Sequence, residues 1–380
     1  MIFLTCFFIF AGILVYVFLL YPTLILLLGS FTKREFEPKW SDLPSVTLVF
    51  SAFNEEDNIV KKLNNALEQE YPEDKLYVIV VDDDSTDGTV QLIKELQSAR
   101  ITLLQQKDRK GKTAALNRAV EEAEGEVLVF TDANSMYLPD AVRKLVDAFD
   151  ASDEIGVVCG EITYEKHPLA VSEEESLYWK LEILLKRAES NLGTMFGANG
   201  AIYAMLRKLY TPLDEDVISD FITPLLVLRR GKRTVYQPFA MCTEISTRNL
   251  KAEFRRKKRI VQRSLYGLWK NRDLLNPLSS KWLALQLLSH KVLRWFTPVW
   301  MLGIFVCCLF LITIPVFAAL LIIQALLCLS GLIGIFVQLS GKPAGWFRFP
   351  AYLLMLLFAS FIGIWGFITG RRLITWEPQR

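Results

Sequence analysis

The sequence is short of the groups that many enzymes use for redox, metal or acid–base chemistry. Its 380 residues include two histidines, His167 and His290, and neither stands in a metal-ligand or triad pattern, which argues against imidazole chemistry. The six cysteines, Cys6, Cys159, Cys242, Cys307, Cys308 and Cys328, form no CxxC pair. That pattern argues against zinc ribbons and redox dithiols and leaves the thiols as small buried hydrophobes. An excess of one charge is also lacking: 43 basic and 41 acidic residues give a net +2, too balanced to suggest a nucleic-acid partner. No repeat, low-complexity tract or flexible linker separates soluble domains, so one such domain is expected.

Charge is almost absent from long runs near both ends, and these runs hold much of the 52% hydrophobic content. Residues 3–28 form an uncharged apolar stretch, longer than the roughly 20 residues a helix needs to cross a bilayer. It has no basic n-region or small-residue cleavage site, so it reads as a retained anchor over 1–30. Residues 296–340 carry no charge and are divided by Pro298 and Pro315 into two spans, and 349–370 forms another. About four transmembrane helices are therefore expected. Residues 280–295, apolar with Lys281, Lys291 and Arg294 interspersed, read as an interfacial helix touching membrane lipids.

Lys33, Arg34 and Lys39 follow the first span, which places the middle of the chain in the cytosol by the positive-inside rule. Four crossings put the C-terminal tail outside, yet Arg371, Arg372 and Arg380 lie there. The conflict is removed if one apolar stretch is interfacial rather than spanning. The basic clusters at 229–233 and 255–259 suit either a headgroup-facing surface or phosphate binding.

Between the apolar ends, residues 46–50, 76–81, 101–104, 127–130 and 155–158 read as buried strands. Helical stretches alternate with them at 57–70, 88–98, 112–122 and 139–149. That alternation predicts an α/β fold with a mostly parallel, doubly wound sheet over 40–275 and a ligand crevice beyond the carboxyl ends of the strands. The segments Asn54–Glu55–Glu56, Asp82–Asp83–Asp84–Ser85 and Thr131–Asp132–Ala133–Asn134 follow three of those strands and face that crevice. Asp82, Asp83, Asp132 and Asn134 form an oxygen-only set suited to Mg2+ or Mn2+ with substrate phosphates. Asp82 and Asp83 read equally well as loop and helix caps.

Taken together, Asn54–Glu55–Glu56, the run from Val81 to Thr89, the run from Gly111 to Asn117, Thr131–Asp132–Ala133–Asn134, Phe196–Gly197–Ala198–Asn199–Gly200–Ala201 and Ser219–Asp220–Phe221 resemble a membrane-bound family 2 glycosyltransferase in order and spacing. The pattern continues through a turn at Gly231 and a strand over 234–237, and the resemblance spans roughly residues 45–269. It implies a GT-A, Rossmann-like fold and an inverting transfer from a nucleotide-diphosphate sugar, with uridine the commonest base. By position, Asn54, Glu55 and Asp83 would hold base and ribose, Lys112 the phosphates, Asn199 the substrate, and Asp132 with Asn134 the metal in place of a DxD pair. Asp220 takes the place of the catalytic base, with Asp214 and Asp216 as rivals. Ser219–Asp220 stands where the family has Glu-Asp.

Arg256 and Arg259 stand where processive relatives such as cellulose, chitin and hyaluronan synthases carry QxxRW, but Gln and Trp are missing. Their grip on a diphosphate is one reading and a solvated helix face the other. The departure favours addition of one or a few sugars to a lipid-linked or membrane-proximal glycan, in surface polysaccharide or cell-wall assembly at the plasma membrane. A catalytically impaired scaffold that binds nucleotide sugars is the alternative. The spans lack the ionisable residues of a transport path, and a nucleotidyltransferase would leave them unexplained.

Overall fold

A computed structural model describes residues 1–32, 38–149, 153–165, 173–245 and 250–375. Lys33, Arg34, His167 and Arg380 lie outside the described residues. From the N-terminus, α1 (Ile2–Val15) and α2 (Tyr21–Ser30) are joined by a π-helical turn. Strands and helices then alternate: β1 (Val46–Ala52), α3 (Ile59–Leu67), β2 (Leu76–Asp82), α4 (Thr89–Glu95), β3 (Ile101–Gln105), α5 (Lys112–Glu122), β4 (Val127–Thr131), β5 (Met136–Tyr137), α6 (Ala141–Asp147) and β6 (Ile155–Glu165). They are followed by α7 (Glu173–Asn191), β7 (Ile202–Leu206), α8 (Ser219–Arg229) and β8 (Arg233–Ile245). Helices close the described chain: α9 (Leu250–Lys270), α10 (Pro277–Leu287), α11 (Leu293–Trp295), α12 (Thr297–Phe310), α13 (Pro315–Leu339) and α14 (Arg348–Ile368). The chain forms two compact units, one of residues 29–167, 186–246 and 373–380, the other of 1–28, 168–185 and 247–372.

The first unit holds an eight-stranded sheet in the order β3-β2-β1-β4-β7-β6-β8-β5. β3, β2, β1 and β4 run parallel, as the helix-strand alternation predicts. β1 is buried at all seven positions and β4 at all five, as expected of parallel strands covered on both faces. Each fully buried Val or Leu in them contributes roughly 1.5–3 kcal/mol of transfer free energy. Two strands were not anticipated. β7 runs antiparallel between β4 and β6, and the two-residue β5 pairs antiparallel with β8. The sheet is thus parallel from β3 to β4 and mixed beyond it, because β7 separates β6 from the parallel set.

The second unit is helical. Phe3 on α1 stacks on Phe310 of α12, with ring centroids 4.0 Å apart, and Phe7 meets Phe317 edge-on. α9 packs against α14 where Gly363 and Gly366 leave room: a Cβ at these positions would come within 3.0 Å of the Lys258 carbonyl and 2.6 Å of the Gln262 amide oxygen. Small residues permit the same close approach between apolar helices in membranes. His290 is spent structurally, since the buried Glu182 carboxylate meets Lys291 (3.0 Å), Arg294 (3.2 Å) and His290 (3.4 Å).

Among the described residues three helices, Ile2–Ser30, Pro315–Leu339 and Gly345–Ile368, are long and apolar enough to cross a membrane, and they mark the chain as a membrane protein. A fourth candidate is a broken one: Trp282–Trp295 and Thr297–Phe310 meet at 61°. α12 alone has 14 residues, about 21 Å of helix, short of a hydrocarbon core of about 30 Å.

Candidate active site

Parallel register aligns the carboxyl ends of four strands. Ala52 of β1 pairs with Asp82 of β2, Asp82 with Gln105 of β3, and Val49 of β1 with Phe130 of β4. The chain therefore leaves the sheet on one edge at Asn54, Asp83, Gln106 and Asp132. The strand order reverses between β1 and β4, which is where doubly wound sheets open their ligand crevice.

The first two loops are stitched together by hydrogen bonds. Asn54 sits at φ +53°, a left-handed conformation that Asn tolerates better than most residues. Its Oδ1 accepts from the Thr86 N–H (2.8 Å), and its own N–H donates to Ser85 Oγ (2.9 Å). The Glu55 N–H donates to Thr89 Oγ1 (2.8 Å), and Glu55 Oε2 accepts from Asn58 Nδ2 (2.9 Å). Glu56 Oε2 accepts from the Gly88 N–H (3.0 Å).

Asp83 is wholly buried and organises the segment after β3. Its Oδ1 accepts from Gln106 Nε2 (3.0 Å) and from the main-chain N–H groups of Lys110 (2.9 Å) and Gly111 (3.1 Å). Burial raises its pKa, while those main-chain donors and Arg109 oppose the rise. The neighbouring Asp82 is 2% exposed, and its Oδ1 has no hydrogen-bond partner among the described residues. Of the pair, Asp83 shapes the loop and Asp82 holds an oxygen in reserve. The Arg109 guanidinium lies 3.6 Å from the centroid of the Phe53 ring on the same edge.

Gly111, at φ +86°, caps α5 and aims its first residue, Lys112, across the crevice. Lys112 Nζ forms an ion pair with Asp132 Oδ1 and donates to the Gly200 carbonyl at 3.5 Å. Asp220 lies in the first turn of α8. A Cβ placed on Gly200 would fall 2.8 Å from Asp220 Oδ2 and 3.4 Å from Lys112 Nζ. The base candidate and Lys112, itself paired with the Asp132 carboxylate, are thus brought together over one residue without a side chain. Asp216 is buried, and its loop is tied to α5, where Thr113 Oγ1 donates to the Val217 carbonyl (2.9 Å).

Asp132 is 36% exposed and Asn134, on the same turn, is exposed. Together they offer one anionic and one neutral oxygen. Among the described residues no three His, Cys, Asp or Glu groups come together to hold a metal. This set fits a hard divalent ion shared with a donor diphosphate, since such ions take one or two carboxylates plus phosphate oxygens. Asn199 is turned inward: its Oδ1 accepts from Lys186 and its Nδ2 donates to the Gly160 carbonyl (2.7 Å). Arg256 and Arg259 belong to α9 in the helical unit. Arg256 forms a two-pronged pair with Glu253 (2.8 and 3.1 Å), and Lys257 adds a contact at 3.4 Å. Burial would raise the Glu253 carboxyl, and Lys257 and Arg256 hold it below its ordinary value instead.

One residue escaped the sequence reading. Lys62 on α3 is completely buried. Its ammonium donates to Thr131 Oγ1 (2.8 Å) and to the Ser135 carbonyl, and lies 4.4 Å from the Tyr137 ring centroid. Ser135 Oγ in turn donates to Glu244 Oε1. Burial pulls the Lys62 pKa down to about 7, with Cys242, Asp132 and Glu244 acting in the opposite sense. It spans both flanks of the turn that carries Asp132 and Asn134. In sequence it is one of two adjacent lysines on a helix, with nothing to separate the buried one from its neighbour.

Residues 47–210 match the family model described as Glycosyl transferase family 2. Poly-beta-1,6-N-acetyl-D-glucosamine synthase of Staphylococcus aureus is 24% identical over 237 residues, 61% of this chain and 53% of that protein. The chain thus spans about half the length of this curated relative. Glycosyltransferase AglE of Haloferax volcanii is 35% identical over 96 residues, 25% of this chain and 32% of that protein. Among solved structures, mannosyltransferase PcManGT from Pyrobaculum calidifontis, in complex with GDP-Man and Mn2+, superposes with a TM-score of 0.74 at 23% identity, covering 97% of this chain and 100% of that one. The fold extends over the helices at both ends as well as the sheet.

Proposed function

We propose that the chain, whose residues 47–210 match the Glycosyl transferase family 2 model, is an inverting enzyme that transfers a sugar from a nucleotide-diphosphate donor to a lipid-linked or membrane-proximal glycan. The convergence of Asp220, Lys112 and Asp132 around Gly200 carries this reading. Asp220 acts as the general base: its carboxylate takes the proton of the acceptor hydroxyl as that oxygen attacks the anomeric carbon and the bond to the diphosphate breaks. Lys112 sits where negative charge grows on the departing diphosphate and offsets it. A divalent ion held by Asp132 and Asn134 would supply further charge neutralisation there. Asn54, Glu55 and Asp83 build the edge that receives the nucleoside, with Asp82 Oδ1 as an acceptor open to a hydroxyl donor. Arg256 and Arg259 are assigned to membrane-side phosphate groups.

The apolar helices support action at a membrane, and the positive-inside bias supports a catalytic unit in the cytosol at the plasma membrane. The missing QxxRW pattern supports addition of one or a few sugars in surface polysaccharide or cell-wall assembly.

The test is nucleoside-diphosphate release by the detergent-solubilised protein from a panel of UDP- and GDP-sugars, with a membrane extract as acceptor source. Release is expected from one donor, to stop on chelation, to return with Mg2+ or Mn2+, and to be lost in Asp220→Asn with donor affinity retained. Saturable donor binding without release from any donor would overturn the enzyme reading in favour of a scaffold.

A further inference from the structure

A proline stands four residues after Asp220 on the same helix. In an α-helix the N–H of residue i+4 donates to the carbonyl of residue i, so residue 224 would close the bond to Asp220. Position 224 is Pro224, inside α8. It has no N–H, and its ring crowds the carbonyl four residues back. That carbonyl instead accepts from the N–H of Ala198 at 2.7 Å. Ala198 belongs to the loop before β7, next to Gly197 at φ +88° and two residues before Gly200, over which the Asp220 carboxylate lies.

We propose that Pro224 is a positioning residue: by denying the Asp220 carbonyl its helical partner, it clamps Asp220 to the 196–200 loop and fixes the carboxylate over Gly200. One residue is then held at two points, main chain to Ala198 and side chain against the Gly200 floor, so the loop that shapes the floor and the helix that carries the base move together. This rests on the reading of Asp220 as the base, while the clamp itself is a hydrogen bond that can be measured apart from turnover.

Pro224→Ala restores a helical donor that competes with Ala198 for the Asp220 carbonyl. A substitution that harmed only packing would lower Tm and activity together. The clamp predicts the opposite split: Tm unchanged or raised, donor KM within about twofold, and kcat down about 10- to 100-fold, the scale expected of a misplaced reacting group. Backbone hydrogen exchange in a peptide covering 196–200 should speed up in Pro224→Ala, and Pro224→Leu should behave alike. Unchanged exchange at 196–200, or a kcat loss that follows a fall in Tm in both variants, would overturn the clamp. Asp220→Asn, run in parallel, separates the two ideas: if it keeps transferring sugar, the base assignment fails while the exchange result still decides the clamp.

Discussion

Asp132 could be picked out of the sequence because it follows a strand, and Lys112 and Asp220 because their positions match motifs of the family 2 glycosyltransferases that the chain resembles. What patterning does not reveal is that they meet at Gly200. A glycine in a loop has many explanations, and only the folded chain places the carboxylate and the ammonium above this one. Its role is steric, for a methyl group there would displace the end of the Asp220 side chain. Gly200→Ala is therefore expected to leave Tm within a few degrees and to cut kcat about 100-fold, the order attached to a displacement of about 1 Å. Steady-state kinetics beside a thermal melt would check it, and a wild-type kcat would show that the carboxylate does not work from above Gly200. Asn199 teaches the converse. It lies in the same motif, yet its amide is engaged with Lys186 and Gly160, and neighbours in sequence do not disclose which way a side chain turns.

At the scale of elements, the helices and the parallel strands were legible because hydrophobic period and turn residues are local signals. β7 was not. Its five residues, Ile202–Leu206, are all buried, and such an apolar run contains no mark of direction or neighbour. Its antiparallel insertion between β4 and β6 is decided by the rest of the sheet. The turn from β4 to β5 shows the same dependence, since its two flanks are tied to α3 through Lys62, 69 and 73 residues away in sequence. Lys62→Met leaves the Thr131 hydroxyl and the Ser135 carbonyl without that donor. It is expected to weaken metal-supported donor binding about 10- to 100-fold, the usual cost of losing a residue that orients ligands. Lys62→Arg, keeping a donor, should recover part of the loss. Calorimetric titration of donor with Mn2+ into each variant would read this, and equal affinities would remove Lys62 from the site.

On the scale of the whole molecule, apolar length was the easiest property to read and sidedness the hardest. The expected spans correspond to three long helices and one bent pair, but composition alone does not say which of them cross. Reporter fusions truncated after Lys342 and after Arg372 are expected to report the same compartment as the sheet unit, and reports from opposite faces would refute this. The ground is a small contact. Residues 373–380 group with the sheet unit, and the Ile374 carbonyl lies against Gly111, leaving no room for a Cβ there. If the chain leaves the sheet unit and returns to it on one face of a bilayer, it crosses an even number of times in between. Three candidates lie between, so on that premise they do not all traverse. Lys342 and Arg348 before the body of α14, with Arg371 and Arg372 after it, put positive charge at both ends of that helix, so on the same premise parity, more than hydropathy, limits how many times this chain passes through the bilayer.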